Sequence, residues 1–323
     1  MTRYLVTGGA GFIGSHLVEA LLTRGMTVRV LDDFSSGRRE NLAPFLSDIE
    51  LIEGSLVDLA TCRAACRDVD YVLHQAAMPS VPKSLQLPAE THQANVTGTL
   101  HVLIGARDAG VRRVVYAASS SAYGDTPTLP KVESMPAQPK SPYAIQKYTG
   151  ELYCQTFSAH YGLDTVALRY FNIFGPRQDP SSPYSAVIPK FVAACLRNEA
   201  PTIFGDGTTS RDFTFVENVV EANLLACSTE NACAGRVLNI ACGGRVTLTD
   251  LALRVRAAVG RGQHPVYGPE RAGDVKHSQA DIAQAEATIG YRPRVSFSEG
   301  IEKTVSWYMN VEGPRSLGPP ETE

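Results

Sequence analysis

A tyrosine and a lysine four positions apart, in Tyr143-Ala144-Ile145-Gln146-Lys147, are the residues of this sequence best suited to chemistry. On a helix that spacing puts the phenol and the ammonium on one face, a turn apart. A phenol titrates near ~10 in water, too high for a base at neutral pH, and a fixed positive charge nearby favours the phenolate. Beside a dinucleotide, such a pair can take a proton from a hydroxyl while hydride leaves the same carbon. The same five residues also describe an exposed polar pair on a helix, so the rest of the chain must decide.

Three glycines supply the dinucleotide. Gly8, Gly11 and Gly14, in Gly8-Gly9-Ala10-Gly11-Phe12-Ile13-Gly14, follow an apolar run at 3–7 and open a helical pattern. A strand, a tight glycine turn and a helix N-terminus form a cradle for pyrophosphate. The next strand ends in Asp32-Asp33, where a carboxylate can bind the adenosine ribose and repel a 2′-phosphate, which selects NAD over NADP. Arg38 and Arg39 nearby read as solvated loop charges. Ser119-Ser120-Ser121 ends another strand pattern; these hydroxyls either satisfy a turn or bind the hydroxyl that Tyr143 deprotonates.

The elements that must position these groups alternate. Apolar runs at 3–7, 27–31, 49–53, 69–73, 112–117 and 163–168 are expected as buried strands. Helical patterns at 12–24, 58–67 and 88–109 lie between them, and one starting at Pro142 carries Tyr143 and Lys147. The expected fold is α/β, a Rossmann-type doubly wound parallel sheet with a smaller C-terminal lobe. Residues 1–171 form the NAD-binding part, 172–311 the substrate lobe and 312–323 a tail rich in proline and glycine. Runs at 213–216 and 237–241 are expected to return to the main sheet, interleaving the two parts.

With 30 basic and 33 acidic residues the net charge is −3, which offers no footprint for nucleic acid. Seven scattered cysteines show neither a CxxC pair nor zinc spacing, so no metal site and no disulfide framework is expected. The first strand begins at residue 3, leaving no room for a signal peptide, and no apolar run is long enough for a membrane; a cytoplasmic protein is expected.

Together these segments resemble the extended short-chain dehydrogenase/reductase family, and within it the UDP-hexose 4-epimerases, over nearly the whole chain. The match runs through Thr7 to His16, His74-Gln75-Ala76-Ala77, Ser119 to Gly124, Tyr143-x-x-x-Lys147, Arg169-Tyr170-Phe171-Asn172, Ser210-Arg211-Asp212-Phe213 and Arg271-Ala272-Gly273-Asp274. The resemblance implies Ser119, Tyr143 and Lys147 as the catalytic set. It implies contacts to NAD from Gly8, Gly11, Phe12, Ile13, Gly14, Asp32, Asp33, Ser55, Leu56, Gln75, Ala76, Ala77, Tyr143 and Lys147, with Asn95 positioning the cofactor or the Tyr143 helix. For the UDP-sugar it implies Asn172, Arg211, Arg271 and Asp274 at the diphosphate and ribose, and Ile203 and Phe204 at uracil. Ser120, Ser121, Gln178, Ala186, Val187 and Ser278 line the rest of that site. Ser55 stands where the family usually has an aspartate at adenine, and Asp58 reads as a helix cap.

Relatives that dehydrate the sugar carry an Asp-Glu pair directly after the catalytic hydroxyl residue. Ser120-Ser121 stand there in this chain, which leaves epimerisation at C4 without the elimination. A small residue at Ser278 leaves room for a 2-acetamido group, so UDP-GlcNAc/UDP-GalNAc and UDP-glucose/UDP-galactose are both candidate pairs, while Pro79 departs from the glycine of some acetamido-sugar relatives. A UDP-glucuronate epimerase or decarboxylase is the alternative enzyme. A non-catalytic NAD(H) sensor would not need the Ser, Tyr and Lys together. Related enzymes dimerise through a four-helix bundle, for which Leu100, Leu103, Ile104, Leu152 and Phe157 are candidates; core burial accounts for them equally well.

Overall fold

The structure, a computed structural model, describes residues 2–179, 187–270 and 276–311. Short Val/Leu/Ile-rich runs form a seven-stranded parallel sheet: β1 (Arg3–Thr7), β2 (Thr27–Asp32), β3 (Ile49–Glu53), β4 (Tyr71–His74), β5 (Arg113–Ser119), β6 (Thr165–Tyr170) and β7 (Arg236–Ile240). Their spatial order is β7-β6-β5-β4-β1-β2-β3. The order reverses between β1 and β4, which opens a crevice at their carboxyl ends.

Every residue of β4 and β6 is buried, as strands covered on both faces require. On one face lie α1 (Phe12–Thr23) and, later in the chain, the helix Val216–Ser228. Leu17, Val18 and Leu21 of α1 share a core with Val219, Ala222 and Ala226. The other face carries α2 (Leu59–Cys66), α3 (Gly98–Asp108) and α4 (Pro142–Tyr161), packed through Cys66, Leu103 and Phe157. Gly150 lets α4 approach β5 closely, because a Cβ there would fall 2.4 Å from the Tyr116 ring. Ser141 caps α4 by accepting from the Ala144 amide, and Pro142 occupies its first turn. Phases of the helix are thus set just before Tyr143.

The run expected as one helix over 88–109 divides into Pro88–His92, a wide π-type turn at Gln93–Thr97, and α3. The turn faces Asn95 inward, where it is 1% exposed. The run at 213–216 does not return to the main sheet. Thr214–Phe215 instead pairs in parallel with Ile173–Phe174, while β7 takes the place beside β6. Phe215 is drawn away by its own kind: its ring lies 5.6 Å from that of Phe174, which also contacts Phe213 and Phe297.

The smaller lobe buries that aromatic cluster among the helices Val187–Leu196, Leu248–Val259 and Phe297–Val311. All seven cysteines are free, and burial pushes the thiols of Cys62, Cys66 and Cys154 up to about 12, which makes them inert.

Candidate functional site

The glycine turn sits at the mouth of the crevice. Gly8 has φ +68, and a Cβ on it would lie 2.7 Å from the Ala76 backbone; one on Gly14 would overlap the Gly8 carbonyl. Gly11 is the N-cap of α1 with no side-chain cap, and the first turn through Phe12, Ile13 and Gly14 holds no acidic residue. An uncapped helix start beside backbone this bare fits a pyrophosphate. Asp32 is 7% exposed and braces the turn, accepting from the amides of Ala10 (2.9 Å) and Phe34 (2.8 Å); burial pushes its carboxyl up. Asp33 is exposed and accepts from the Ser35 amide and hydroxyl at 2.9 and 2.6 Å.

Across the crevice, Ala76 donates its amide to Thr7 Oγ1 at 3.3 Å, next to the half-buried Ala77. The Gln75 amide is held by Asn223 and Tyr170. Ser55 accepts from the Val57 amide at 3.3 Å, Leu56 is buried, and Asp58 caps α2 through the amides of Ala60 and Thr61.

Beneath the turn lies a histidine whose role sequence reasoning missed. Thr99 Oγ1 donates to the Asn95 carbonyl at 2.7 Å, so it accepts from His74 Nε2 at 3.0 Å, and Nδ1 accepts from Thr7 Oγ1 at 2.7 Å. That chain fixes a proton on Nε2, and burial leaves Nδ1 without one. Burial brings its pKa down to about 3, with the Lys147 charge adding to the effect.

Ser119 ends β5 and Tyr143 opens α4, which brings their side chains close enough for the serine hydroxyl to act on the phenol. Ser119 Oγ also accepts from the Ser121 amide (3.2 Å) and hydroxyl (2.9 Å), so these two serines satisfy the turn, the first of the two roles their sequence allowed. Lys147 is 4% exposed and donates to the Ala117 carbonyl at 2.8 Å. The expected pull of Lys147 on the phenol is not what this geometry does. Burial raises the Tyr143 pKa, and the Ser119 hydroxyl acts against it. Burial also lowers the Lys147 pKa to about 8. Asn95 holds the helix: its Nδ2 donates to Gln146 Oε1 at 2.8 Å and its Oδ1 accepts from the Met78 amide at 2.8 Å.

Ser119 pairs with Tyr170 across β5 and β6, and two residues beyond Tyr170 the chain reaches Asn172 at the wall of a cavity of about 270 Å³. Asn172, Val187, Ile203, Phe204 and Arg211 all line it, as the sequence led one to expect. Phe191, Phe213 and Leu248 join them from the small-lobe helices and the loop beside Arg211; Phe213 lies in the quoted Ser-Arg-Asp-Phe segment, but nothing local marked Leu248. Asn172 adopts φ +42 and donates to the Asp212 carbonyl (3.0 Å) and to Ser278 Oγ (3.1 Å). Asp212 organises this wall from behind, accepting from the amides of Cys242, Gly243 and Ala280; burial pushes its pKa up to about 6. Gln178 is half-buried, with Nε2 donating to the Ile173 carbonyl, and Ser120 lies half-buried beside Ser119. Ala186, Arg271 and Asp274 lie outside the described residues.

A parallel dinucleotide sheet with Ser, Tyr and Lys at the crevice and an apolar, arginine-edged cavity alongside defines a nucleotide-dependent enzyme acting at a hydroxyl-bearing carbon. Residues 4–241 match the NAD dependent epimerase/dehydratase family, and the chain belongs to it. The UDP-glucose 4-epimerase of Mycolicibacterium smegmatis is 39% identical over 95% of this chain and 99% of its own length. A UDP-N-acetylglucosamine 4-epimerase from Methanobrevibacter ruminantium, solved with UDP-N-acetylmuramic acid, superposes with a TM-score of 0.91 at 41% identity, covering 96% of this chain and 98% of that one. The UDP-glucose 4-epimerase of Thermus thermophilus, solved with NAD, superposes with a TM-score of 0.87 at 35% identity over 96% and 100% of the chains. Other relatives are named as decarboxylases and a 4,6-dehydratase. The chain is therefore an enzyme of a family that performs several reactions on nucleotide sugars.

Proposed function

We propose that this chain is an NAD-dependent 4-epimerase of UDP-hexoses, acting on UDP-GlcNAc/UDP-GalNAc, on UDP-glucose/UDP-galactose, or on both. The observation that carries the reading is the loop after Ser119. Only hydroxyls follow it, and that of Ser121 is bound to Ser119 at 2.9 Å. Proton transfer at one oxygen is provided for; an acid and a base for elimination at C6 are not.

NAD, when bound, takes hydride from C4 of the sugar and returns it. Tyr143 accepts the proton of the 4-hydroxyl, and Ser119, close to the phenol, aligns that hydroxyl and steadies the phenolate. Lys147 holds a positive charge a turn away and is placed to hold the cofactor's nicotinamide ribose. The backbone amides at Phe12 and Ile13 bind the cofactor pyrophosphate, and Asp32 and Asp33 face the adenosine ribose. In the cavity, Ile203 and Phe204 take the uracil and Arg211 the diphosphate, joined by Arg271 and Asp274; Asn172, Gln178, Ser278, Ala186 and Val187 surround the sugar side. Gripped through its UDP alone, the 4-keto sugar can turn its other face to the returning hydride. A homodimer fits the exposed Ile145 (53%) and Leu152 (43%) on α4, whereas Leu103 and Phe157 are core residues and Leu100 and Ile104 are half-buried.

The test is conversion of UDP-GlcNAc and of UDP-glucose, followed by NMR of the sugar nucleotides with NAD supplied. C4 inversion of either supports the proposal. Turnover of UDP-glucuronate alone would replace it with the uronate chemistry that related decarboxylases perform.

A further inference from the structure

Behind Lys147, away from the crevice, lies a buried ion pair that the reaction above does not touch. Glu151 follows Lys147 by one turn of α4 and is fully buried. Arg169, next to the last residue of β6, donates Nε to one of its oxygens at 2.9 Å and Nη2 to the other at 2.7 Å. The guanidinium is itself packed over the Tyr123 ring, 4.5 Å from its centroid, and the Tyr123 hydroxyl is held by Asn239 Oδ1 at 2.7 Å. Both partners are therefore fixed. A guanidinium that stays charged in the interior requires the carboxylate opposite it; burial holds the Glu151 carboxyl above its ordinary value, with Arg169 and Lys147 acting against that rise.

The groups facing Lys147 give this pair a consequence. β5 contributes the Ala117 carbonyl and the Tyr116 ring, 5.0 Å from Nζ; the Tyr116 phenol is buried and pushed upward, hence neutral. β4 contributes His74, neutral for the reasons given. α4 contributes Tyr143, Cys154 and Glu151, and the Cys154 thiol, at about 12, carries no charge at neutral pH. Glu151 is thus the anion facing Lys147 among the described residues.

We propose that Glu151, clamped by Arg169, is a positioning residue whose buried carboxylate keeps the Lys147 ammonium charged inside a site that would otherwise neutralise it. The inference rests on the epimerase reading only in supposing that the reaction needs that charge. Burial already brings Lys147 to about 8, with Cys154 and Glu151 both acting against it; the thiol being uncharged, loss of Glu151 leaves burial to act further.

The test is an NMR titration of protein carrying ¹³Cε-labelled lysine, with the Lys147 signal identified by its loss in Lys147→Arg. In Glu151→Gln the Lys147 midpoint should fall by about one pH unit, the order expected for losing an opposite charge one helical turn away in a buried site. The alkaline limb of kcat should move down with it, and Glu151→Asp should restore part of both. A folded Glu151→Gln with an unmoved Lys147 midpoint overturns the proposal. Should that variant not fold, Glu151→Gln combined with Arg169→Gln leaves no lone buried charge; a smaller fall in the same direction is expected, and no fall overturns it. A wild-type protein that converts no UDP-hexose sinks the functional reading, while the NMR titration still judges this one.

Discussion

Acidification should cost this protein stability through His74 in particular. The imidazole is 1% exposed, and its two nitrogens are hydrogen-bonded to Thr7 and Thr99. Its folded pKa is depressed from 6.5 to about 3, chiefly by burial. The unfolded chain then binds more protons than the folded one between those values, so stability falls as pH drops through that window and the loss is complete near pH 3. At pH 4.5 the unfolded histidine is about two units below its midpoint while the folded one is still neutral, which amounts to about 2–3 kcal/mol at about 1.4 kcal/mol per unit. Carboxylates and His16, itself brought down to about 4 by burial, titrate over the same range, so the wild type alone cannot isolate the effect. His74→Gln can. Its own cost is present at every pH, and the comparison is between slopes. Urea unfolding of both proteins at pH 7.5 and 4.5 should show the wild type losing about 2–3 kcal/mol more than the variant. Equal losses, within about 0.5 kcal/mol, would refute the neutral, buried imidazole.

Tyr143→Phe removes the proton acceptor while keeping the ring, so conversion of UDP-hexose should fall by about 10²–10⁴-fold with NAD affinity, measured by calorimetry, little changed. Asn95→Ala strands Gln146 Oε1 and the Met78 amide in the interior; a loss of about 2–4 kcal/mol in urea unfolding is expected, with a larger fall in kcat than a surface variant of equal stability. Ile145→Asp with Leu152→Glu places charges on the exposed face of α4; light scattering is expected to report a dimer for the wild type and monomers for this variant.

Most of what positions the chemistry was readable as local pattern. The glycine spacing after β1, the carboxylates ending β2, and Pro142 ahead of Tyr143 each state a backbone demand that short-range sterics and hydrogen bonding enforce. The cavity residues Asn172, Ile203, Phe204 and Arg211 were readable through resemblance; their own neighbours in the chain do not announce a pocket. The strand at Thr214–Phe215 was misplaced because a β-branched and aromatic run shows only that a strand forms, and its partner is chosen by which buried surface it joins. The break at Gln93–Thr97 was invisible for a related reason: helical periodicity does not register one wide turn.

The sequence by itself determined the parallel sheet, the glycine turn at its crevice and the helix start before Tyr143, because periodicity, glycine and proline act within a few residues. Only the tertiary structure decided the state of the side chains these elements carry. Whether Tyr143 answers to Lys147 or to Ser119, whether His74 carries a charge, and what holds Lys147 from behind depend on burial and on partners tens of residues away. Desolvation and hydrogen bonding are properties of the packed interior, and a chain read one residue at a time does not yet have one.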